Sequence, residues 1–79
     1  MTAAEIKARK MIASRTTAQL LTDWDLTEMK FLDASKALQS ELFTVRGWLL
    51  DEFERRDCEA FAAWMDDEDL DASPRKYYR

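Results

Sequence analysis

Apolar residues recur at regular steps in the middle of the chain. They are Leu38, Leu42, Val45, Leu49 and Phe53, separated by four, three, four and four residues. This is the spacing of one face of an α-helix, because residues three or four apart lie above one another on the helix surface. We therefore predict a helix at about residues 38–56.

A second apolar strip lies beside the first on this predicted helix. At about 100° per residue, Phe43, Gly47 and Leu50 fall on adjoining positions, and Glu52 falls on the polar side. A helix that is apolar over more than half of its circumference needs cover on two sides, from flanking helices or from a second copy of the chain. Gly47 marks either a break or a close approach of another backbone, and we favour a continuous helix.

Start signals for further helices stand on both sides of the central segment. Thr2–Glu5 and Thr16–Gln19 each match a capping box, in which a hydroxyl and a side chain three residues later bond the first amides of a helix. The stretch at about residues 3–31 is interpreted as one helix or as two, divided near Arg15 to Thr17. Asp57 is expected to cap a short third helix whose apolar residues are Phe61, Trp64 and Met65.

Turn-forming residues are rare, since the 79 residues include one glycine and one proline. An all-β fold would need many tight turns, so this scarcity favours helix throughout. We predict an all-α protein, a small bundle of three to four helices around the central helix. Residues 1–72 would form one helical domain, and residues 73–79 an exposed tail of basic and aromatic residues.

Few residues offer catalytic or metal-binding chemistry. The chain has no histidine, and Cys58 is its only cysteine, which excludes an internal disulfide and the usual zinc patterns. We interpret Cys58 as a packed, unreactive residue, since Asp57 and Glu59 disfavour its thiolate, although a position in the first turn of a helix would act the other way. The acidic run 66–71 lacks the glycine and the final glutamate of a calcium loop. We therefore expect no enzyme activity, no cofactor and no metal.

Charge is unevenly distributed along the chain. Residues 51–71 hold ten acidic and two basic residues, whereas residues 1–15 and 72–79 are both basic, and the net charge is −4. An alternative function follows, a nucleic-acid-related protein that is either an acidic DNA mimic or a weak DNA binder through its basic ends. The net negative charge argues against phosphate binding.

The location of the protein is also suggested by its apolar segments. The longest uninterrupted apolar run, residues 60–65, is far below the ~20 residues that span a bilayer. Charged residues interrupt residues 1–15, so we expect no secretion signal. The sequence predicts a cytoplasmic protein without a membrane partner.

Several segments resemble short proteins of actinobacteria and their phages. They are Thr44-Val45-Arg46-Gly47-Trp48-Leu49-Leu50-Asp51-Glu52-Phe53-Glu54, Glu59-Ala60-Phe61, Trp64 and Ser73-Pro74-Arg75-Lys76-Tyr77. The similarity covers about half of the chain, chiefly residues 44–77. It implies an accessory protein of a phage or mobile element, acting in the host cytoplasm, with no catalytic residues to carry over.

The expected mode of action is binding to other proteins, including a second copy of the chain. For self-association we choose the second apolar strip with its neighbouring tryptophan: Phe43, Gly47, Trp48 and Leu50. For an external partner, such as a host protein, we choose the tail residues Arg75, Lys76, Tyr77 and Tyr78, because arginine and tyrosine are enriched in binding interfaces.

Overall fold

The structure, a computed structural model, describes residues 1–78 and is all-helical, as the sequence predicts. The elements are α1 (Ala3–Ser14), α2 (Thr17–Leu32), α3 (Lys36–Arg56), α4 (Cys58–Met65) and a short 3-10 helix (Pro74–Lys76). The helices pack against α3, which is the central helix of a small bundle. Within residues 1–78, no helix is both long and apolar enough to cross a membrane.

The helix boundaries follow the capping residues. Thr16 forms a complete capping box, since its hydroxyl accepts from the Gln19 amide at 3.1 Å and the Gln19 side chain accepts from the Thr16 amide at 2.9 Å. The first helical stretch is therefore two helices, divided at Arg15 and Thr16. Asp57 caps α4 as predicted, accepting from the Ala60 amide at 3.0 Å.

Helix α3 runs without interruption through Gly47, which confirms the continuous interpretation. Its buried face contacts α1, α2 and α4. The buried apolar core consists of Leu20, Leu21, Trp24, Leu49, Phe53, Trp64 and Tyr78.

Phe53 lies at the centre of this core. Its ring centroid is 6.2 Å from that of Trp24, 5.6 Å from that of Trp64 and 4.9 Å from that of Tyr78. The two tryptophans meet Phe53 edge to face, an arrangement that places the positive ring edge against the negative ring face. The aromatic residues thus join α2, α3, α4 and the C-terminal segment in one cluster.

Glu52 is buried, so its predicted place on the polar side of α3 is wrong. Its carboxylate accepts hydrogen bonds from Arg55 and Arg56, which lower its pKa against the opposing effect of burial. Arg56 also donates to the backbone carbonyl oxygens of Ala13 and Arg15. Glu52 and Arg56 thus neutralise each other's charge. Through the bonds of Arg56, this pair also holds the junction of α1 and α2 against α3.

The prediction of an exposed C-terminal tail is wrong for Pro74 and Tyr78, which are both buried. Tyr78 is only 6% exposed, and its hydroxyl donates to the carbonyl oxygen of Phe53 at 2.7 Å. The physical reason is that tyrosine is apolar over most of its surface and is readily buried once its hydroxyl is bonded. Residue 79 of the predicted tail lies outside the described residues.

Candidate functional site

A groove of about 780 Å³ opens between α2, α3, α4 and the loop that follows α4. Helix α2 forms one wall with residues at i, i+3, i+4 and i+7, which share one strip of a helix surface. These residues are Asp25, Glu28, Met29 and Leu32. Along this strip two carboxylates precede two apolar side chains, beside the face that α2 buries in the core.

The floor and the opposite wall come from three other parts of the chain. Helix α3 contributes Arg46 and Leu50, four residues apart, and α4 contributes Trp64 and Met65. The loop contributes Asp67, Asp69, Leu70, Asp71 and Ala72. The groove thus combines an apolar floor with carboxylates on both sides.

Apolar side chains of the groove are open to solvent. Met29 is 67% exposed, Leu32 85% and Leu70 97%. Single exposed apolar residues are common on proteins, but these three share one concave surface with Leu50 and Met65. A contiguous apolar surface with a polar rim is typical of a binding site.

Trp24 and Arg46 form the inner end of the groove. The Arg46 guanidinium lies over the Trp24 ring at 4.1 Å from its centroid, and one of its nitrogens is 3.5 Å from a Glu28 carboxylate oxygen. Among the described residues, Trp24 Nε1 is the buried side-chain polar atom without a hydrogen-bond partner.

The loop on the far side of the groove is ordered by its own carboxylates. The Asp69 amide donates to Asp67, and the Asp71 amide donates to Asp69, each at 2.9 Å. Hydrogen bonds from Tyr77 and, to a smaller extent, from Lys76 lower the pKa of Asp67 to about 2. This carboxylate is therefore ionised at neutral pH.

The carboxylates at the edge of the groove differ in whether they form ion pairs. Asp25 accepts from Arg75 at 2.8 Å, and Asp67 accepts from Lys76 at 2.9 Å. Within residues 1–78, Asp69 and Asp71 form no ion pair. These two carboxylates on the loop therefore keep negative charge at the mouth of the groove without a described counter-ion.

The predicted self-association strip borders this groove. Phe43 is 63% exposed and packs edge-on against Phe31, which lines the groove, with ring centroids 5.0 Å apart. Leu50 lies in the groove itself and packs partly against the core. A Cβ atom added at Gly47 would meet no heavy atom within 4 Å, so this position is open.

Trp48 is separated from the other members of that predicted set. It lines a hollow of about 100 Å³ near α1, with Arg9 and Ile12, and is half-buried. On α3 it lies on a different side of the helix from Phe43 and Leu50, and its part in self-association stays a prediction.

The predicted partner-binding residues are bonded within the chain. Arg75 donates to Asp25, Lys76 and Tyr77 donate to Asp67, and Tyr78 donates to Phe53. Arg75 and Lys76 remain exposed, whereas Tyr78 is buried and offers no surface to a partner. The choice of Tyr78 as a contact is therefore wrong, and the role of the other three stays a prediction.

The basic N-terminal end is also partly neutralised. Arg9 pairs with Asp51 at 3.3 Å, and Arg15 makes two hydrogen bonds to Asp23, at 2.9 and 2.8 Å. Such pairing reduces the positive charge that these guanidinium groups present to a phosphate backbone.

Cys58 is exposed at the start of α4, so the prediction of a packed cysteine is wrong. The side chains of Asp57 and Glu59 next to it are exposed as well. Within residues 1–78, no group of three or more cysteine, aspartate and glutamate side chains is placed to hold a metal ion.

Comparison with protein-family models, with curated proteins and with solved structures finds no match to this chain.

The sequence interpretation missed the residues that make the groove apolar, namely Met29, Leu32, Met65 and Leu70 as a set. A signal was present in α2, where Met29 and Leu32 share a strip with Asp25 and Glu28. Apolar residues off the buried face of an amphipathic helix indicate a binding surface only where neighbouring elements add further exposed apolar residues beside them.

Proposed function

We propose that the protein works by binding other proteins and has no catalytic role. The observation that carries this proposal is the groove, where Met29, Leu32 and Leu70 are exposed together between acidic residues. Exposed apolar surface is costly in water, and it is typical of surfaces that a partner covers. The resemblance, chiefly of residues 44–77, to short proteins of actinobacteria and their phages supports an accessory role for a phage or mobile element.

Self-association is part of the proposal. Phe43, Gly47 and Leu50 lie at i, i+4 and i+7 on α3, and the first is largely exposed. The open space at Gly47 favours close approach by a helix of a second copy, since a glycine leaves the backbone accessible. A dimer formed here would continue the apolar surface of the groove across two copies.

The test is the mass of the protein in solution, measured by light scattering behind a sizing column. We expect about twice 9.3 kDa for the wild type. Phe43→Glu is expected to give a monomer, because a carboxylate at the seam would lose its water without gaining a partner. Thr44→Glu is the matched control, since Thr44 is exposed on the same helix and outside the strip.

A wild type that remains monomeric over the whole concentration range would contradict self-association. A dimer that both variants retain would contradict the seam at Phe43, provided that both variants melt as the wild type does.

A further inference from the structure

We infer that the groove between α2, α3, α4 and the loop that follows α4 holds a cationic amphipathic helix of a partner protein. This inference rests on the proposal that the protein works by binding other proteins. It adds the chemical class of the partner and the surface that receives it.

The form of the groove favours an elongated partner. Small-molecule pockets bury most of their ligand, whereas Leu32 and Leu70 on the two sides of this groove stand almost entirely in solvent. A helix that lies along such a groove would cover both sides at once with residues at i, i+3, i+4 and i+7.

The apolar floor of the groove favours a partner that presents apolar side chains, and not one that presents charged groups alone. Leu50 and Trp64 line the groove together with Met29 and Met65. Methionine is unbranched and polarisable, so it adapts to leucine, isoleucine or phenylalanine side chains of different shapes. The partner helix is therefore expected to present a continuous apolar strip.

The rim determines the charge of the partner. Asp69 and Asp71 have no described counter-ion, whereas Asp25 and Glu28 on the opposite wall pair with Arg75 and Arg46. Lysine or arginine flanking the apolar strip would meet Asp69 and Asp71, and a helix flanked by glutamate would be repelled there.

A second copy of this chain is the competing occupant. Helix α1 carries Lys7, Lys10 and Met11, which are exposed and share one side of that helix. Its seating in the groove of another molecule would give a head-to-tail chain of molecules, which light scattering detects as a mass that rises with concentration.

The experiment uses three synthetic peptides of equal length and the full chain. The first has leucine at helical spacing and lysine elsewhere, the second replaces lysine with glutamate, and the third has the composition of the first in scrambled order. Binding is followed by calorimetry and by tryptophan fluorescence, since Trp24 and Trp64 line the groove. We expect the first peptide to bind at least about tenfold more tightly than either other peptide.

Two pairs of variants locate the binding. One double variant carries both Asp69→Asn and Asp71→Asn. Its control carries both Glu41→Gln and Glu54→Gln, which removes the same charge from exposed positions on α3 outside the groove. Met29→Ala is compared with Met11→Ala, another exposed helical methionine. Only the groove variants are expected to weaken binding of the first peptide, and each should raise its dissociation constant by about threefold to tenfold.

Each of the other outcomes overturns the inference. Equal binding of the scrambled peptide would show that charge alone acts, as in an acidic mimic of DNA. If the groove variants and the control variants weaken peptide binding equally, the binding site lies outside the groove. If no peptide binds while the wild type self-associates, the inference about the groove fails and the proposal that the protein binds other proteins stands. If the chain neither binds a peptide nor self-associates, the inference and the proposal both fail.

Discussion

Trp24 and Trp64 are equally buried but differ in one hydrogen bond. Trp64 Nε1 donates to the carbonyl oxygen of Ala72 at 2.9 Å, whereas Trp24 Nε1 has no described partner. Replacement of either by phenylalanine removes similar apolar volume. Trp64→Phe also breaks a hydrogen bond and leaves a carbonyl oxygen unpaired.

We therefore expect Trp64→Phe to reduce the free energy of unfolding by about 1 kcal/mol more than Trp24→Phe does. Urea unfolding of the two variants and the wild type measures this difference. An equal or larger loss for Trp24→Phe would contradict the hydrogen bond between Trp64 and the loop.

Tyr78 makes the stability of the protein sensitive to alkaline pH. Burial raises the pKa of its hydroxyl to about 12, above the unfolded value of about 10. The neutral form is favoured in the folded state, so its contribution to stability is complete below pH ~10 and is lost as pH rises towards ~12.

We expect the thermal midpoint to fall over this alkaline range in the wild type. Tyr78→Phe should lower the midpoint at neutral pH, because its bond to Phe53 is lost, and should flatten the alkaline fall. In Tyr77→Phe the contribution of Tyr78 to the fall should remain. An equally steep fall in Tyr78→Phe would contradict the burial of this hydroxyl.

Helical spacing placed Phe53 on the buried face of α3, but residue chemistry alone did not predict the burial of Tyr78. Tyr78 follows a basic segment and was expected in solvent, yet its contact with Phe53 crosses 25 positions of the chain. Trp48 lies on a different side of α3 from Phe43, as the helical angle between the two already indicates. Contacts between distant residues depend on how elements pack, which local patterns do not contain.

At the scale of elements, Gly47 offers a direct test of α3. The position is helical, and an added Cβ would meet nothing within 4 Å. Gly47→Ala is therefore expected to raise the free energy of unfolding of the monomer by about 0.5–1 kcal/mol, because alanine loses less backbone entropy in a helix.

Chemical unfolding at low protein concentration measures this gain, and Thr44→Ala provides a control at an exposed position of the same helix. A loss of stability on Gly47→Ala would contradict the open space at this position. If the two copies of a dimer meet at Gly47, the same variant should weaken the dimer while it stabilises the monomer.

The elements themselves could be predicted with good accuracy from the sequence. The spacing from Leu42 to Phe53 and the caps at Thr16 and Asp57 are local signals, and each marks a boundary or a face of a helix. The C-terminal segment was not predictable in this way, because a three-residue 3-10 helix has no periodicity.

At the scale of the whole molecule, the groove exists because four parts of the chain meet. Asp25 and Leu50 come from α2 and α3, and Leu70 comes from a loop that Lys76 and Tyr77 hold through Asp67. Sequence patterns predicted α2 and α3 but not the return of the C-terminal segment that fixes the loop. The acidic run was therefore visible in the sequence, while its position beside an apolar floor was not.

The most direct test of the account is a residue-resolved NMR titration of the full chain with the cationic amphipathic peptide. We expect amide shifts to change in the groove residues Met29, Leu32, Leu50, Met65 and Leu70, and to change little in α1. Shifts that change mainly in α1, or that change nowhere at saturating peptide, would contradict the assignment of the groove as the binding surface.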